Sequence, residues 1–200
     1  ETPLELDLRD LLEFTAQELR TKVAVDTAAS EVFDYILDRL RSYCQDQDLE
    51  GDVVDAVLAV SGHYPTDLYR RILAVQEFKR LPEADALASA NKRTRNILRK
   101  SGGVTHPAVQ AAFLVDPAEI ALAERIDELT PVVTTHLAAK NYGHALKLLA
   151  GMRPEVDAFF DRVMVMADDV QIRANRLALL SRLEGLFLGI ADISRLQPVT

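Results

Sequence analysis

Residues 168–190 decide the fold, and they read DDVQIRANRLALLSRLEGLFLGI. When this segment is wound as a helix, apolar side chains occupy almost every side of it, namely Ile172, Leu177, Leu179, Leu180, Leu183, Leu186, Phe187 and Ile190. A surface helix keeps one polar face, whereas a helix that is apolar all round lies inside a protein. The segment therefore predicts a buried central helix with other helices packed around it.

The composition of the whole chain agrees with a helical bundle. The 200 residues are 48% hydrophobic and 27% charged, which is typical of globular domains. There is no Trp, aromatic residues make up 6%, and only 8 Gly and 8 Pro interrupt the sequence. Sandwiches and barrels need many turn residues between short strands. The composition thus predicts an all-α protein.

The sequence lacks the features of membrane and secreted proteins. No apolar run approaches the roughly 20 residues that cross a bilayer, and a single cysteine, Cys44, cannot form an internal disulfide. The first residues, from Glu1, have neither the basic start nor the cleavage site of a signal peptide. We therefore expect a cytoplasmic protein with no membrane partner, and a chain that is a piece of a longer one.

Helical periodicity continues through the first half of the chain. Five helices are predicted there, over residues 4–22, 30–47 and 52–60, from Pro65 onward, and from Pro82 to about residue 100. In the second helix, the predicted apolar face consists of Val32, Tyr35, Ile36, Leu40 and Tyr43, with Arg39 in the same repeat.

The clearest break follows these helices, at Ser101-Gly102-Gly103 and His106-Pro107. Paired glycines end helices, and proline restricts the residue before it. We therefore divide the chain into a helical connector region, residues 1–104, and a helical bundle, residues 105–200.

A strong helix start opens the bundle at Asp116-Pro117-Ala118-Glu119. It combines an N-cap acid, a proline at the first helical position and a carboxylate at the third. Pro131 is expected to bend or break the long helix that follows. Shorter helices are predicted over residues 141–150 and from Pro154.

Five cations crowd into nine residues of the fifth predicted helix, namely Lys92, Arg93, Arg95, Arg99 and Lys100, which we name the basic strip. At 100° per residue they span an arc of about 160°, with Asn91 and Asn96 in or beside it. The opposite side, which is expected to be buried, consists of Leu87, Ala90, Thr94 and Ile97. The chain holds 23 Lys and Arg against 31 Asp and Glu, so its net charge of -8 opposes phosphate backbones at long range. Any nucleic-acid site must be local. The strip suits phosphate and base contacts, and the alternative is that these cations only complement the helix dipole.

Two further arginines, Arg173 and Arg176, interrupt the apolar helix near its start. Asp169 lies four residues before Arg173, a spacing that allows an ion pair at the helix entrance. Contact with RNA is the alternative role for both arginines.

No catalytic or metal-binding constellation stands out. The four histidines, His63, His106, His136 and His144, lack the spacing of metal ligands, and no His-Asp dipeptide occurs. There is no phosphate-cradling glycine loop and no nucleophile elbow. We expect no catalytic residue, no metal site and no cofactor in this chain.

Several stretches resemble one family closely. Residues 152–169, 172–180 and 191–194 read MRPEVDAFFDRVMVMADD, IRANRLALL and ADIS, and upstream residues 78–84 and 90–93 read FKRLPEA and ANKR. These stretches are similar to the C-terminal region of the bacterial glycyl-tRNA synthetase beta subunit, and the resemblance covers about residues 30–197.

That resemblance implies a helical anticodon-binding domain of the type named for an Asp-Ala-Leu-Arg signature. The corresponding stretch here is Asp169-Val170-Gln171-Ile172-Arg173, with one extra residue. It also implies that the parent enzyme joins glycine to tRNA(Gly) with ATP and Mg, and that a separate alpha subunit of an alpha2beta2 assembly holds the reaction site.

This chain would then read the anticodon end of tRNA(Gly) without catalysing the reaction. The candidate tRNA-binding residues are the basic strip together with Arg173 and Arg176. The alternative is a purely structural helical module for subunit contact or bracing, without direct RNA contact.

Overall fold

A computed structural model describes residues 6–19, 27–61, 64–102 and 108–198. Within these ranges the chain is all α-helical, as predicted, with no strand. The helices are α1 (Leu8–Leu19), α2 (Ala28–Asp46), α3 (Gly51–Leu58), α4 (Pro65–Lys79), α5 (Ala84–Lys100), α6 (Pro117–Ala138), α7 (Tyr142–Ala150), α8 (Arg153–Arg162) and α9 (Val170–Leu188). Two short 3-10 turns, Ala111–Phe113 and Ile193–Arg195, precede α6 and follow α9.

α9 lies at the centre of the core, which confirms the prediction from its apolar sequence. It packs against α5, α6 and α7. Leu179, Leu180, Leu183 and Phe187 are fully buried, and the core extends without interruption from Cys44 to Ile193.

The capping box predicted for α6 is present. The Asp116 carboxylate accepts a hydrogen bond from the backbone N–H of Ala118 at 2.8 Å, and the Glu119 carboxylate accepts one from the N–H of Asp116 at 3.2 Å. These two acids satisfy N–H groups that have no partner within the first turn of a helix.

The expectation that Pro131 breaks this helix is wrong. α6 runs from Pro117 to Ala138 with Pro131 inside it. A proline removes one helical hydrogen bond, but Leu129 and Val133 on either side of it are buried, and Pro131 itself faces solvent. Packing of both flanking turns into the core holds the helix together.

The N-terminal helices depart most from the sequence pattern. α1 buries no residue, and α2 buries only Phe33 and Cys44. The predicted apolar face of α2 is only partly covered, because Ile36 and Leu40 are half-buried whereas Val32, Tyr35 and Tyr43 are exposed. α2 packs mainly against α1 and α3, and the ring of Tyr43 also lies 6.2 Å from the ring of Tyr69 on α4, centre to centre. The predicted ends of the first helix, residues 4–5 and 20–22, lie outside the described residues.

Polar contacts join the first half of the chain to the end of α9. Arg71 forms an ion pair with Asp67 at 2.7 Å and donates to the carbonyls of Gly189 at 2.7 Å and Ile190 at 3.1 Å. The Tyr142 hydroxyl donates to the other Asp67 oxygen at 2.6 Å. Burial alone would raise the pKa of Asp67, but these hydrogen bonds outweigh it and hold the pKa below its usual value.

A second connection surrounds Lys79, which is 4% exposed. Its ammonium group pairs with Glu50 at 2.5 Å and with Asp52 at 2.7 Å. Asp52 also accepts from the backbone N–H of Gln197 at 2.7 Å. The two predicted parts of the chain therefore share one core. Their division at residue 104 stays a prediction, since residues 103–107 lie outside the described part of the chain.

Candidate nucleic-acid interface

α5 turns one side to the core and the basic strip away from it. Leu87, Ala90 and Thr94 are buried, as the spacing predicts for that side, and Ile97 is half-buried. Leu98 is buried as well. Asn91 does not join the strip, because it is 3% exposed and donates to the carbonyl of Leu87 at 3.1 Å. Asn96 stays exposed beside the strip.

One edge of the strip is tied to the C-terminal segment. Arg95 forms an ion pair with Asp192, which is 3% exposed, and lies 3.6 Å from a carboxylate oxygen of Glu184. Burial raises the pKa of Glu184, and the positive charge of Arg95 opposes that rise. Asp192 also pairs with Arg195 at 2.9 Å. Arg95 is thus half-buried and occupied by acids of its own chain.

The other edge of the strip rests on α8. The guanidinium carbon of Arg93 lies 4.5 Å from the centre of the Phe160 ring, within the range of a cation–π contact. Phe160 in turn packs edge-on against the fully buried Phe159, with ring centres 5.4 Å apart. Arg93 remains exposed, and its N–H groups are still able to donate to another partner.

The middle of the strip consists of Lys92, Arg99 and Lys100, all exposed. Within the described ranges, none of the three forms an ion pair, and Arg99 only donates to the Asn96 side chain at 3.3 Å. We name these three residues the open cations. Because no nearby acid neutralises them, they produce a local positive potential on an acidic protein.

Arg173 and Arg176 hold a loop instead of facing outward. Arg173 donates to the carbonyl of Ala167 at 2.7 Å, and Arg176 donates to the carbonyl of Met164 at 2.8 Å. Both bonds fix residues 163–169, the segment that enters α9.

The expected ion pair between Asp169 and Arg173 is absent from the described structure. Asp169 instead caps α9, since its carboxylate accepts from the backbone N–H groups of Gln171 at 2.8 Å and Ile172 at 3.0 Å. N-caps of this kind satisfy otherwise unpaired N–H groups, which explains why the carboxylate points along the backbone.

Arg176 has the acidic partner that Arg173 lacks. It forms an ion pair with Glu119, which is fully buried, while Arg176 keeps 13% of its side-chain exposure. The second oxygen of Glu119 accepts from the backbone N–H of Val115 at 2.8 Å and of Asp116. One carboxylate therefore joins the start of α6 to the start of α9. Sequence spacing gave no signal of this pair, because its members lie 57 residues apart.

Groups suited to other chemistries are not assembled in the described ranges. No set of three or more His, Cys, Asp or Glu side chains is placed to hold a metal ion there. His136 and His144 pack together with ring centres 4.4 Å apart, whereas His63 and His106 lie outside the described residues. None of the described helices is long and apolar enough to cross a membrane.

The described structure is an all-helical core with a narrow cationic strip on a chain of net charge -8, so its class is an all-α domain with a local cationic surface. Residues 87–192 match the family described as the DALR anticodon binding domain. The chain belongs to this family. The match includes every residue of the basic strip as well as Arg173 and Arg176.

Similar proteins cover almost the whole chain and are named glycine–tRNA ligase beta subunit. The protein of Ectopseudomonas mendocina is 45% identical over 194 residues, which is 97% of this chain and 28% of that protein. The proteins of Shewanella sediminis and Aeromonas hydrophila are 48% and 47% identical, and each alignment covers 98% of this chain and 29% of the relative. The chain thus spans less than a third of the length of these relatives.

Proposed function

We propose that this chain binds the anticodon end of tRNA(Gly) as the C-terminal part of a glycine–tRNA ligase beta subunit. The observation that carries the proposal is the set of open cations, Lys92, Arg99 and Lys100, on a helix inside the family match. An anticodon loop displays unstacked bases, each flanked by phosphates. A short cationic surface that contacts those phosphates suits such a loop.

The contacts of the strip divide its members into two roles. Arg95 holds α5 onto the buried Asp192, and Arg93 stacks on Phe160, so these two residues orient the helix. The open cations carry the phosphate contacts. Arg173 and Arg176 act through the loop that they fix, as positioning residues for the start of α9.

The remaining parts of the proposal concern the whole enzyme. The relatives are named as ligase beta subunits, so we place the joining of glycine to tRNA, the use of ATP and Mg, and the alpha subunit of an alpha2beta2 assembly outside this chain. In this proposal the enzyme is cytoplasmic, and the chain itself contributes recognition and no catalytic residue.

The proposal is tested by tRNA(Gly) binding to the chain and to a variant in which Lys92, Arg99 and Lys100 are each changed to Glu. If each open cation contacts one phosphate, the slope of log affinity against log salt should fall by about 2 to 3. Affinity at low salt should fall at least about tenfold. Circular dichroism should show an unchanged helix content, since all three side chains are exposed.

A matched control changes three exposed cations elsewhere, Arg70, Arg80 and Lys147, to Glu. Both triple variants change the net charge equally, so a shared loss of affinity would indicate only long-range repulsion. Equal tRNA binding by the two variants would contradict the proposed site.

The structural alternative also has support in the molecule. α1 and α2 expose large apolar side chains, including Phe14 at 62%, Tyr35 at 65% and Tyr43 at 52%. Large exposed apolar side chains mark a protein interface where they form one contiguous patch. A folded chain that binds no tRNA, at low salt and high concentration, would favour bracing or subunit contact as its role.

A further inference from the structure

A half-open surface pocket of about 190 Å³, which we name the cavity, lies beside the first turns of α9. Its lining residues are all neutral, and they are Ala108, Gln110, Phe113, Gln171, Ala174 and Asn175. The volume is close to the roughly 150 Å³ of an engineered protein cavity that binds benzene. It is below the roughly 300 Å³ at which pockets for drug-sized ligands start. The cavity therefore has the size of a single flat ring.

The walls of this cavity are fixed in place. Asn175 is 4% exposed, and its side-chain oxygen accepts from the backbone N–H of Gln110 at 2.7 Å. Its amide nitrogen donates to the carbonyl of the same residue at 3.1 Å. These two hydrogen bonds hold the segment before the 3-10 turn against α9, so the cavity forms without a ligand.

Two residues with side-chain amides, Gln110 and Gln171, line this space. Gln110 and Gln171 are exposed, and neither side chain forms a hydrogen bond with any described residue. Each amide offers one acceptor and two N–H donors, which is the complement of a nucleobase edge. Phe113, half-buried in the same lining, supplies an aromatic face.

The surroundings favour a ring over a phosphate. Val170 precedes Gln171 and is 66% exposed, and Val115 follows the 3-10 turn and is 62% exposed. The acidic Asp168 and Asp169 stand exposed at the same end of α9. Apolar neighbours suit the flat face of a base, while the two carboxylates would repel an anion.

The cavity and the cationic helix lie on opposite sides of α9. Asn175 lies nine residues before Glu184, the α9 residue beside Arg95. This separation is about 14 Å along the helix and, at 100° per residue, about 180° around it. An RNA strand held on α5 would have to pass around α9 to place a base in the cavity.

We propose that this cavity receives one unstacked base of single-stranded RNA, with Gln110 and Gln171 bonding its edge and Phe113 contacting its face. The inference rests on the proposed function and adds to it the place where a base is read. In this proposal the neutral cavity binds a base, and the open cations bind phosphates.

The test uses the full 200-residue chain and the anticodon stem–loop of tRNA(Gly), with each loop base removed in turn to leave an abasic site. Base–aromatic stacking is worth about 1–3 kcal/mol per base. One abasic position should therefore weaken binding by roughly 5- to 150-fold. Gln171→Ala should weaken binding of the intact RNA, and it should cause no further loss with that one abasic RNA.

Gln45→Ala, an exposed glutamine on α2, is the matched control and should leave every affinity unchanged. Gln171 is exposed, so its variant should fold, and an unchanged unfolding midpoint checks this point. The inference is overturned if Gln171→Ala and the abasic site multiply their losses at every position, or if the variant binds all RNAs like the unaltered chain.

Failure of the inference and failure of the proposed function give different results. If the Lys92, Arg99 and Lys100 variant loses affinity while Gln110→Ala and Gln171→Ala retain it, the cationic site stands and the base cavity is rejected. If the unaltered chain does not bind the stem–loop, both are rejected.

Discussion

Replacing Arg176 by methionine should destabilise the protein strongly and leave RNA binding by the folded fraction intact. Arg176 is paired with Glu119, a carboxylate with no solvent exposure. Methionine keeps most of the side-chain volume but removes the charge and all five N–H donors. The carboxylate would then be buried without its cation.

The expected magnitude follows from the burial of the two partners. Removing one member of a buried ion pair costs about 3–5 kcal/mol. Arg176 retains 13% exposure, so water relieves part of the cost and the lower end applies. The bond to the Met164 carbonyl is also lost, at about 1 kcal/mol. We therefore expect a loss of about 3–4 kcal/mol in the free energy of unfolding.

The assay is urea unfolding followed by circular dichroism, with Glu119→Gln and the double variant completing a cycle. Glutamine can still accept from the N–H groups of Val115 and Asp116, so Glu119→Gln should cost less than Arg176→Met. The double variant should be more stable than the sum of the single losses predicts, by about 1 kcal/mol or more. Arg173→Met is the control, because that guanidinium bonds only carbonyl groups and should cost about 1 kcal/mol.

Two results would refute this reasoning. A loss below about 1 kcal/mol for Arg176→Met would show that the pair contributes no more than an exposed one. Unchanged stability together with lost tRNA affinity would make Arg176 an RNA contact instead of a positioning residue.

Two further predictions concern Tyr142 and Pro131. Burial and the bond to Asp67 raise the pKa of Tyr142 from 10.0 to about 12, so stability that depends on its protonated form is complete below about pH 10 and is lost as pH rises towards 12. Urea unfolding should show that the free energy of unfolding falls by about 2 kcal/mol as pH rises over this range. Tyr142→Phe should lack this alkaline loss, whereas Tyr35→Phe, a control at an exposed position, should retain it. Pro131→Ala should raise the free energy of unfolding by about 1 kcal/mol, because alanine restores a backbone N–H inside an unbroken helix; a lower melting temperature would show that the proline ring itself contributes to packing.

Local sequence rules accounted for most of the helices. The capping box at Asp116 and Glu119 and the apolar segment at residues 168–190 were both predicted and both confirmed. Such signals act between residues a few positions apart, so the sequence shows them without knowledge of the tertiary structure. Pro131 was the exception, because burial of the turns on either side outweighed its local penalty.

The buried sides of helices were predicted well only where several neighbours surround the helix. α5 buries Leu87 and Thr94 as its spacing predicts. In α2 the pattern favoured Val32 and Tyr35, yet both are exposed. A periodic pattern gives the direction of an apolar face, but it does not say whether another element covers that face.

The basic strip shows the same limit within the candidate site. The sequence located its five cations on one helix and could not say which of them were available. Arg95 has an acidic partner 97 residues away in the chain, and Arg93 rests on a ring from another helix. The neutral cavity was not foreseen, because its residues come from two segments that lie far apart in the sequence and are joined by two hydrogen bonds between Asn175 and Gln110.

The sequence by itself determined an all-helical chain, the centre of its core and the helix that carries its positive charge, because periodicity, capping and charge spacing are properties of neighbouring residues. The tertiary structure decided which cations stay open, which arginines hold a loop, and where a ring-sized space forms. Those outcomes depend on contacts between residues that lie far apart in the sequence, and the pattern of neighbouring residues does not predict such contacts.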